Sequence, residues 1–120
     1  MKKSNYKTGH FAEKIALIFL WFKGYHLVAM NYVTGKGTGA SEIDLIVKKR
    51  KTLIFVEVKK RQDLITSAEA ITHKAQQRIA RAAEAFLSTH PQYQTYQIRF
   101  DAILFANNFF PHHISDAWRL

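Results

Sequence analysis

The chain has 120 residues, a length that suits one compact domain with a hydrophobic core, so we predict a single domain over residues 1–120. Its 18 Lys and Arg outnumber its 9 Asp and Glu, and the formal charge of +9 favours nucleic acid as a partner, with an anionic membrane surface as the alternative. The absence of cysteine excludes disulfides, zinc–thiolate sites and thiol nucleophiles, and it fits a reducing cytoplasm.

The first predicted element is a helix over residues 8–23, with Thr8 as its N-cap and Gly24 as its end. Residues 15–22 are apolar nearly all round, which indicates burial on several sides. This run is shorter than the roughly 20 apolar residues of a transmembrane helix, and the adjacent Glu13 argues against a secretion signal. We therefore expect a cytoplasmic protein that has no membrane as a partner.

Three strands are predicted next, over residues 25–32, 42–48 and 52–59. A glycine-containing loop, residues 34–41, separates the first two strands and loosely resembles a nucleotide-binding fingerprint. A strand rather than a helix follows it, so no helix N-terminus is available for a phosphate. We interpret it as a mobile loop near the active site.

The second helix is predicted from the capping-box pair Thr66 and Glu69 as far as Ser88. Its apolar positions recur at helical spacing at Ile71, Ala75, Ile79, Ala82, Ala83 and Phe86. A strand over residues 97–105 and a short closing element over 114–118 complete the chain, and His112 and His113 are interpreted as an exposed polar tail. The order αβββαβ predicts an α/β fold, a mixed β-sheet flanked by helices, in which a tight turn gives an antiparallel pair and the crossover helix a parallel one.

Glu57 and Lys59 interrupt the apolar third strand and lie on one face of it, because side chains two apart share a face. If the preceding hairpin turns about Arg50 and Lys51, position i lies opposite position 101 − i, since 50 plus 51 is 101. Asp44 then lies opposite Glu57. A slip of one residue would send Asp44 to the other face, so the site depends on this register.

Two adjacent carboxylates in an apolar setting repel each other, and their pKa values rise unless a cation joins them. Oxygen ligands without nearby His or Cys favour Mg²⁺ or Mn²⁺ over zinc, so Asp44 and Glu57 are predicted metal ligands. Such an ion activates water for phosphodiester hydrolysis, and Lys59 would position or deprotonate that water or hold the phosphate. The alternative is that Glu57 and Lys59 form an exposed ion pair worth at most about 1 kcal/mol.

Two segments, EIDLI at residues 42–46 and FVEVKKR at 55–61, resemble the YraN-type family of small bacterial proteins. Further matches are Gly9, Ala12, Glu13, Ala16, Gly24, Tyr25, Asn31, Lys74, the RFD of residues 99–101, Ala117 and Trp118. That family is assigned to the restriction-endonuclease-like PD-(D/E)XK superfamily and is related to archaeal Holliday junction resolvases. The resemblance covers nearly the whole chain.

The resemblance implies a restriction-endonuclease-like fold and a metal-dependent DNA endonuclease that acts on branched or structured DNA, where a junction-cutting homodimer would supply two active sites. It makes Asp44 the motif aspartate, Glu57 the second carboxylate, Lys59 the motif lysine and Glu13 the catalytic glutamate of the first helix. From its position alone, Glu13 is either a rim residue or a buried acid. Ala40, Ser41 and Val33 depart from the family pattern at positions near the loop, where they affect expected phosphate contacts rather than metal ligands.

A set of basic and polar residues is predicted to bind nucleic acid: Lys49, Arg50, Lys60, Arg61, Lys74, Gln77, Arg78 and Arg81. Four of them form a stripe along the second helix, which is typical of a surface that follows a phosphate backbone but also of an ordinary solvated helix face. A module that binds nucleic acid without cutting it is therefore the alternative function.

Overall fold

A five-stranded sheet organises the chain, with one helix on each face. The computed structural model describes residues 2–34, 41–60, 70–105 and 110–119, and side chains from residue 11 onward. The elements are α1 (Lys2–Phe22), β1 (His26–Thr34), β2 (Ser41–Lys49), β3 (Thr52–Lys60), α2 (His73–Ser88), a 3₁₀ turn (Pro91–Tyr93), β4 (Gln97–Phe105) and β5 (Pro111–Trp118). The predicted mixed α/β fold is confirmed. Within these ranges no helix is long and apolar enough to cross a membrane.

Strand direction follows the connections. The sheet order is β1-β2-β3-β4-β5, and only the β3–β4 pair, which α2 connects, is parallel. The β2–β3 register runs from Leu45↔Val56 to Lys49↔Thr52, as the predicted turn about Arg50 and Lys51 requires. The predicted closing element is wrong in extent, because β5 begins at Pro111 and pairs with β4 as a full edge strand.

Helix α1 differs from its prediction at the start and agrees at the end. It begins at Lys2, so Thr8 lies inside the helix and the predicted cap is wrong; no proline stands before Thr8 to stop the helix from extending. At the other end Gly24 takes a left-handed φ of 93°, and its N–H donates to Trp21 O at 3.0 Å. The Tyr25 N–H donates to Leu20 O at 3.0 Å, which completes a Schellman motif.

Helix α2 begins at His73, later than its apolar pattern predicts. Thr72 is extended, at φ −65° and ψ 157°, and its hydroxyl accepts a hydrogen bond from the Ala75 N–H at 3.1 Å. Ile71 therefore precedes the helix, although its side chain is buried. The predicted capping-box residues, Thr66 and Glu69, and residues 35–40 of the loop predicted over 34–41 lie outside the described residues. The ends of that predicted loop, Thr34 and Ser41, belong to β1 and β2.

The two faces of the sheet bury separate apolar cores. On one face α1 contributes Ala12, Ala16 and Leu20, which pack with strand residues such as Val47 and Ile54. The other face packs against α2, whose inward residues are Ala75, Ile79, Ala82, Ala83 and Phe86. A strand side chain therefore packs toward α1 or toward α2, according to the face of the sheet from which it projects.

Candidate active site

The pairing of β2 with β3 ends at Leu45↔Val56, one pair short of Asp44. Ile43 belongs to the α2-side core and Leu45 to the α1-side core, although residues two apart on a regular strand share a face. The pleat is thus interrupted at Asp44. Its Oδ2 accepts a hydrogen bond from the Val58 N–H at 2.8 Å, so a side chain takes the place of a backbone acceptor where the strands part.

This interruption lets Asp44 contact acids from both sides of the sheet. The Asp44 carboxyl is in hydrogen-bonding contact with Glu13 of α1 and with Glu57 of β3. Glu13 is 9% exposed and Glu57 6%, so Glu13 is the buried acid rather than a rim residue. We call Glu13, Asp44 and Glu57 the acidic cluster; all three were predicted as site residues, and the structure brings them together.

The acidic cluster has strongly perturbed titration. Burial, reinforced by the negative charge of Asp44, raises the pKa of both Glu13 and Glu57 to about 8. Burial also raises the pKa of Asp44, while hydrogen bonds from the Val58 N–H and from the two glutamates partly oppose the rise. At neutral pH the two glutamates therefore retain protons and flank Asp44.

Two cations approach Glu57 without neutralising it. Lys59 Nζ and Arg78 Nη2 each lie 3.9 Å from Glu57 Oε2, too far for a hydrogen bond. Their side chains are 38% and 37% exposed, so solvent weakens both attractions, which lower the pKa of Glu57 less than burial raises it. The predicted catalytic lysine is beside its carboxylate, and Arg78, predicted to bind nucleic acid, also faces the acidic cluster.

Asn31 of β1, one of the residues that match the family pattern, also belongs to the site, a role that the sequence does not predict. It lies between the pairs Met30↔Leu45 and Tyr32↔Ile43, hence next to Asp44, and has a left-handed φ of 53°. Its side chain hydrogen-bonds Glu13 and lowers the pKa of that carboxyl against the effect of burial. The signal available in the sequence was an asparagine, a residue that tolerates this conformation, within an apolar strand.

The donor set of the acidic cluster fits a hard divalent cation. Glu13 Oε1 is buried and has no hydrogen-bond partner, an unfavourable state that a bound cation would relieve. Among the residues that the structure describes, no three His, Cys, Asp or Glu side chains already enclose an ion position. Mg²⁺ commonly takes one or two carboxylates and completes its shell with water and substrate phosphate, so Asp44 and Glu57 are sufficient as protein ligands.

The predicted nucleic-acid-binding residues fall into two separated groups. Lys60 is exposed on β3, the strand of Glu57. Lys74, Gln77 and Arg81 are exposed on α2, and Arg78, which approaches Glu57, lies half-buried among them. Lys49 and Arg50 lie at the opposite end of the hairpin, roughly 20 Å away at about 3.3 Å per residue of β3. There Lys49 Nζ lies 4.9 Å from the centre of the Tyr25 ring. Arg61 is outside the described residues.

A buried carboxylate outside the acidic cluster, Asp101 of β4, lies on the α1 face and is fully hydrogen-bonded; we call it and its partners the Asp101 site. Arg99 donates from Nε to Oδ1 and from Nη2 to Oδ2, each at 2.8 Å; His113 Nε2 lies 2.8 Å from Oδ2; and the Asp116 N–H donates to Oδ1 at 2.9 Å. The His113 side chain is only 5% exposed, so its interpretation as part of an exposed tail is wrong. The cause is β5, which pairs with β4 and carries His113 inward.

A cavity of about 530 Å³ lies elsewhere, between the C-terminal half of α2 and the starts and ends of the neighbouring strands. It is lined by Thr52, Ala80, Ala83, Glu84, Leu87, Gln97, Ile98, Arg99, Phe100, Asp116, Trp118 and Arg119. The charges of its two acidic residues, Glu84 and Asp116, cancel those of Arg99 and Arg119, so the cavity has no electrostatic preference for a polyanion. None of the acidic cluster contributes to it.

Comparison with known proteins identifies relatives along nearly the whole chain. The model of the family described as "Uncharacterised protein family UPF0102" matches residues 12–105, a range that includes the acidic cluster. The chain is 41% identical over 114 residues to UPF0102 protein amb4503 of Paramagnetospirillum magneticum, covering 95% of this chain and 88% of that one. It is 41% identical over 118 residues to a UPF0102 protein of Nitrobacter winogradskyi, covering 98% and 97%. A UPF0102 protein of Rhodopseudomonas palustris (strain BisB5) is 43% identical over 113 residues, covering 94% and 83%. The chain therefore belongs to the UPF0102 family, the YraN-type family that its motifs resemble.

Proposed function

We propose that this protein is a Mg²⁺- or Mn²⁺-dependent DNA endonuclease with a restriction-endonuclease-like fold. The observation that carries the proposal is the acidic cluster, in which Glu13 and Glu57 both contact Asp44 at the point where β2 and β3 part. Two buried carboxyl groups and the partly buried Asp44, with too little positive charge beside them, are unfavourable for folding alone. A site that takes up a divalent cation gives that arrangement a physical purpose.

Asp44 and Glu57 hold the ion in this proposal, and Glu13 completes the site from α1. When bound, the ion supplies a Lewis acid that offsets negative charge on the phosphodiester as water attacks it. Lys59 lies beside Glu57 and acts on the reactants in one of two ways: its ammonium group donates to a phosphate oxygen, or its neutral amine accepts the proton of the attacking water. Asn31 orients Glu13 through their hydrogen bond.

The DNA would lie along the exposed basic side chains next to the cluster. Lys60, Lys74 and Arg81 are exposed, and contacts of this kind give binding that depends strongly on salt and weakly on sequence. Lys49 and Arg50, roughly 20 Å away, fit a longer or branched substrate that spans the hairpin. Branched or structured DNA is the substrate that the family resemblance implies.

The test is cleavage of labelled branched, single-stranded and duplex DNA with and without Mn²⁺. The wild type is expected to give metal-dependent products, and Glu57→Gln and Asp44→Asn are expected to lose at least about 100-fold in rate because the ion loses a ligand. Glu84→Gln, an exposed change on α2, is the matched control and should cut normally. Metal-dependent cutting that survives both cluster substitutions would contradict the proposal.

A non-catalytic nucleic-acid-binding module is the second candidate. The observation that favours it is that the carboxyls of the acidic cluster contact one another in pairs, and no described trio of potential ligands surrounds an ion position. In this case the same DNA is bound equally well with and without a chelator, and no product forms with any metal. The cleavage assay thus separates the two candidates directly.

A further inference from the structure

The cavity beside the C-terminal half of α2 lies outside the acidic cluster, and its lining suits a small ligand. Its volume of about 530 Å³ is within the roughly 300–1,000 Å³ that is typical of small-molecule pockets. Ala80, Ala83 and Leu87 line it from the helix, and Ile98 and Trp118 line it from the strands. Ile98 is 39% exposed, so a ligand in the cavity would cover a large apolar side chain.

Trp118 supplies a hydrogen-bond donor that has no acceptor in the fold. The residue is 7% exposed, and its Nε1 is buried without a hydrogen-bond partner. Across the described part of the chain, the only other buried side-chain nitrogen or oxygen in this state is Glu13 Oε1 of the acidic cluster. An unpaired buried donor is unfavourable, so an acceptor atom that reaches Nε1 from the cavity gains a hydrogen bond and removes that penalty.

Trp118 also belongs to a stack of aromatic rings. The ring centroids of Phe55 and Phe100 are 5.7 Å apart at an interplanar angle of 29°, and those of Phe100 and Trp118 are 5.5 Å apart at 23°. Phe55 is fully buried, whereas Phe100 and Trp118 line the cavity. A flat ring that enters the cavity therefore meets aromatic faces or edges, which are favourable partners for another ring.

The charged side chains of the lining argue against two other kinds of ligand. Because the acidic and basic residues balance, a phosphate group gains no net attraction inside the cavity. A purely apolar ligand would cover charged side chains and leave the Trp118 N–H unpaired. The ligand that fits is flat, uncharged and able to accept a hydrogen bond, which is the chemistry of a nucleobase.

We propose that this cavity binds a nucleobase, which stacks against Trp118 and Phe100 and accepts a hydrogen bond from Trp118 Nε1. Two sources carry this chemistry: a free nucleotide and an unpaired base of a DNA strand. The second source rests on the proposed function, whereas the site for the base does not. Stacking of one base on an aromatic side chain changes affinity by about 5- to 150-fold, enough to measure directly.

The basic turn of the β2–β3 hairpin lies next to the cavity and favours a strand as the source. Gln97 lines the cavity, and its backbone N–H donates to Lys51 O at 2.8 Å. Arg50 and Lys51 are exposed, so they can contact phosphates outside the cavity while an uncharged base lies inside.

The position of the cavity also suits a branched substrate. Thr52 lines the cavity, and Glu57 of the acidic cluster lies further along the same strand, roughly 16 Å away at 3.3 Å per residue. A branched substrate could therefore place an unpaired base in the cavity and a phosphodiester at the acidic cluster.

The experiment is nuclear magnetic resonance of the full chain, isotope-labelled at the tryptophan side-chain nitrogens, in a chelator that prevents cleavage. The two tryptophans give two indole N–H signals, and Trp21, which is 62% exposed on α1, is the internal control. Deoxyadenosine monophosphate, a short DNA single strand and the corresponding duplex are titrated separately. The Trp118 signal should shift downfield as its N–H gains an acceptor, and the Trp21 signal should stay in place.

Matched variants locate the bound base. Ala80→Leu places a larger side chain in the cavity, and Ala85→Leu makes the same change at a half-buried position of α2 outside the lining. Ala80→Leu should weaken binding at least about tenfold, whereas Ala85→Leu should bind as the wild type does. Trp118→Phe keeps a ring but removes the N–H, and calorimetry should show binding weakened by roughly 2- to 12-fold. Cooperative unfolding of each variant establishes that it is folded.

The three ligands distinguish the two sources of the base. A single strand that binds more tightly than the nucleotide, with no shift from the duplex, supports an unpaired base of DNA. Equal binding of nucleotide and strand supports a site for free nucleotides. A Trp118 signal that no ligand moves, or one that shifts equally in Ala80→Leu, would overturn the proposal.

The outcome is independent of cleavage. A protein that binds the base but cuts no DNA contradicts the nuclease proposal alone. A protein that cuts DNA with metal, but whose Trp118 signal does not respond to any of the ligands, contradicts the nucleobase site alone.

Discussion

The acidic cluster and the Asp101 site each bury carboxyl groups in the same sheet, but their surroundings have opposite effects. For Asp101, burial by itself would raise the pKa, yet hydrogen bonds from His113, Arg99 and the Asp116 N–H outweigh it and keep the pKa below its ordinary value. For Glu13 and Glu57, burial and the nearby Asp44 both raise the pKa, and the opposing effects of Asn31 on Glu13 and of Lys59 and Arg78 on Glu57 are too weak to offset the rise. The Asp101 site is complete as folded, whereas the acidic cluster lacks positive charge.

This comparison separates a structural role from a functional one. The Asp101 carboxylate has all its hydrogen bonds satisfied and links β4 to β5. Arg99 Nη2 also donates to the Tyr25 hydroxyl at 2.8 Å, which connects this site to the chain after α1. Glu13 Oε1, in contrast, is buried without a hydrogen-bond partner, so this oxygen does not link α1 to another element. Unsatisfied buried polar groups of this kind are rare in folded proteins and are expected at sites that bind a further group.

The largest expected effect is on stability at the Asp101 site. Asp101→Asn removes the charge that Arg99 faces and places amide hydrogens against existing donors, so the free energy of unfolding should fall by about 3–5 kcal/mol. Denaturant unfolding measures it. Asp116→Asn, which weakens the exposed Asp116–Arg119 pair, is the control and should change stability by less than about 1 kcal/mol. Equal losses in the free energy of unfolding of the two variants would contradict the structural role of Asp101.

The second-largest expected effect is stabilisation of the fold by a metal ion that binds at the acidic cluster and not elsewhere. Mn²⁺ at about 100 times its Kd should raise the free energy of unfolding by about 2.7 kcal/mol, measured as a thermal shift. The shift should be smaller at acidic pH, because ion binding must displace protons from the glutamates. Asp44→Asn should lose the shift and Asp116→Asn should keep it. A shift that survives Asp44→Asn would locate the ion elsewhere.

The smallest effect is a pH dependence of opposite sign at the two sites. Because the folded-state pKa of Glu57 is raised from 4.5 to about 8, the folded protein holds more protons than the unfolded chain in that range, and stability falls as pH rises through it. Glu57→Gln removes this loss, so the variant should match the wild type below pH 4.5 and exceed it above pH 8 by on the order of 1–3 kcal/mol.

Urea unfolding across this pH range, with Glu84→Gln as the exposed control, measures the Glu57 effect. Asp101 contributes the opposite slope, because its lowered pKa gives stability that is present above pH 3.8 and is lost as pH falls further. A Glu57→Gln curve parallel to that of the wild type would mean that Glu57 is ionised in the fold at neutral pH.

Local patterns were sufficient to predict much of the site. Alternation placed Glu57 and Lys59 on one face, and the two-residue turn at Arg50 and Lys51 set the register as far as Leu45. Asp44 and Glu57, predicted to lie directly opposite each other, would form the next pair after Leu45↔Val56, where the β2–β3 pairing ends. The acids meet because β2 is interrupted at Asp44, a feature set by packing on two faces and not by the residues of the hairpin.

Other residues depended on contacts far apart in the chain. Burial of Glu13 required knowing which side of α1 meets the sheet, and burial of His113 required knowing that β5 pairs along β4. In the sequence Asp101 is distinguished only as part of a family motif, because its four donors come from β4 and β5 and are brought together by the sheet. The sequence contains these residues but not their mutual distances.

The sequence by itself determined the net charge, the alternation in β3, the hairpin turn and the left-handed end of α1 at Gly24, because each depends on a few neighbouring residues. Only the tertiary structure decided which carboxyl groups are deprived of solvent and which of them find donors. The physical reason is that the pKa of a carboxyl group depends on burial and on charges within a few ångströms, and the fold, not sequence separation, sets both.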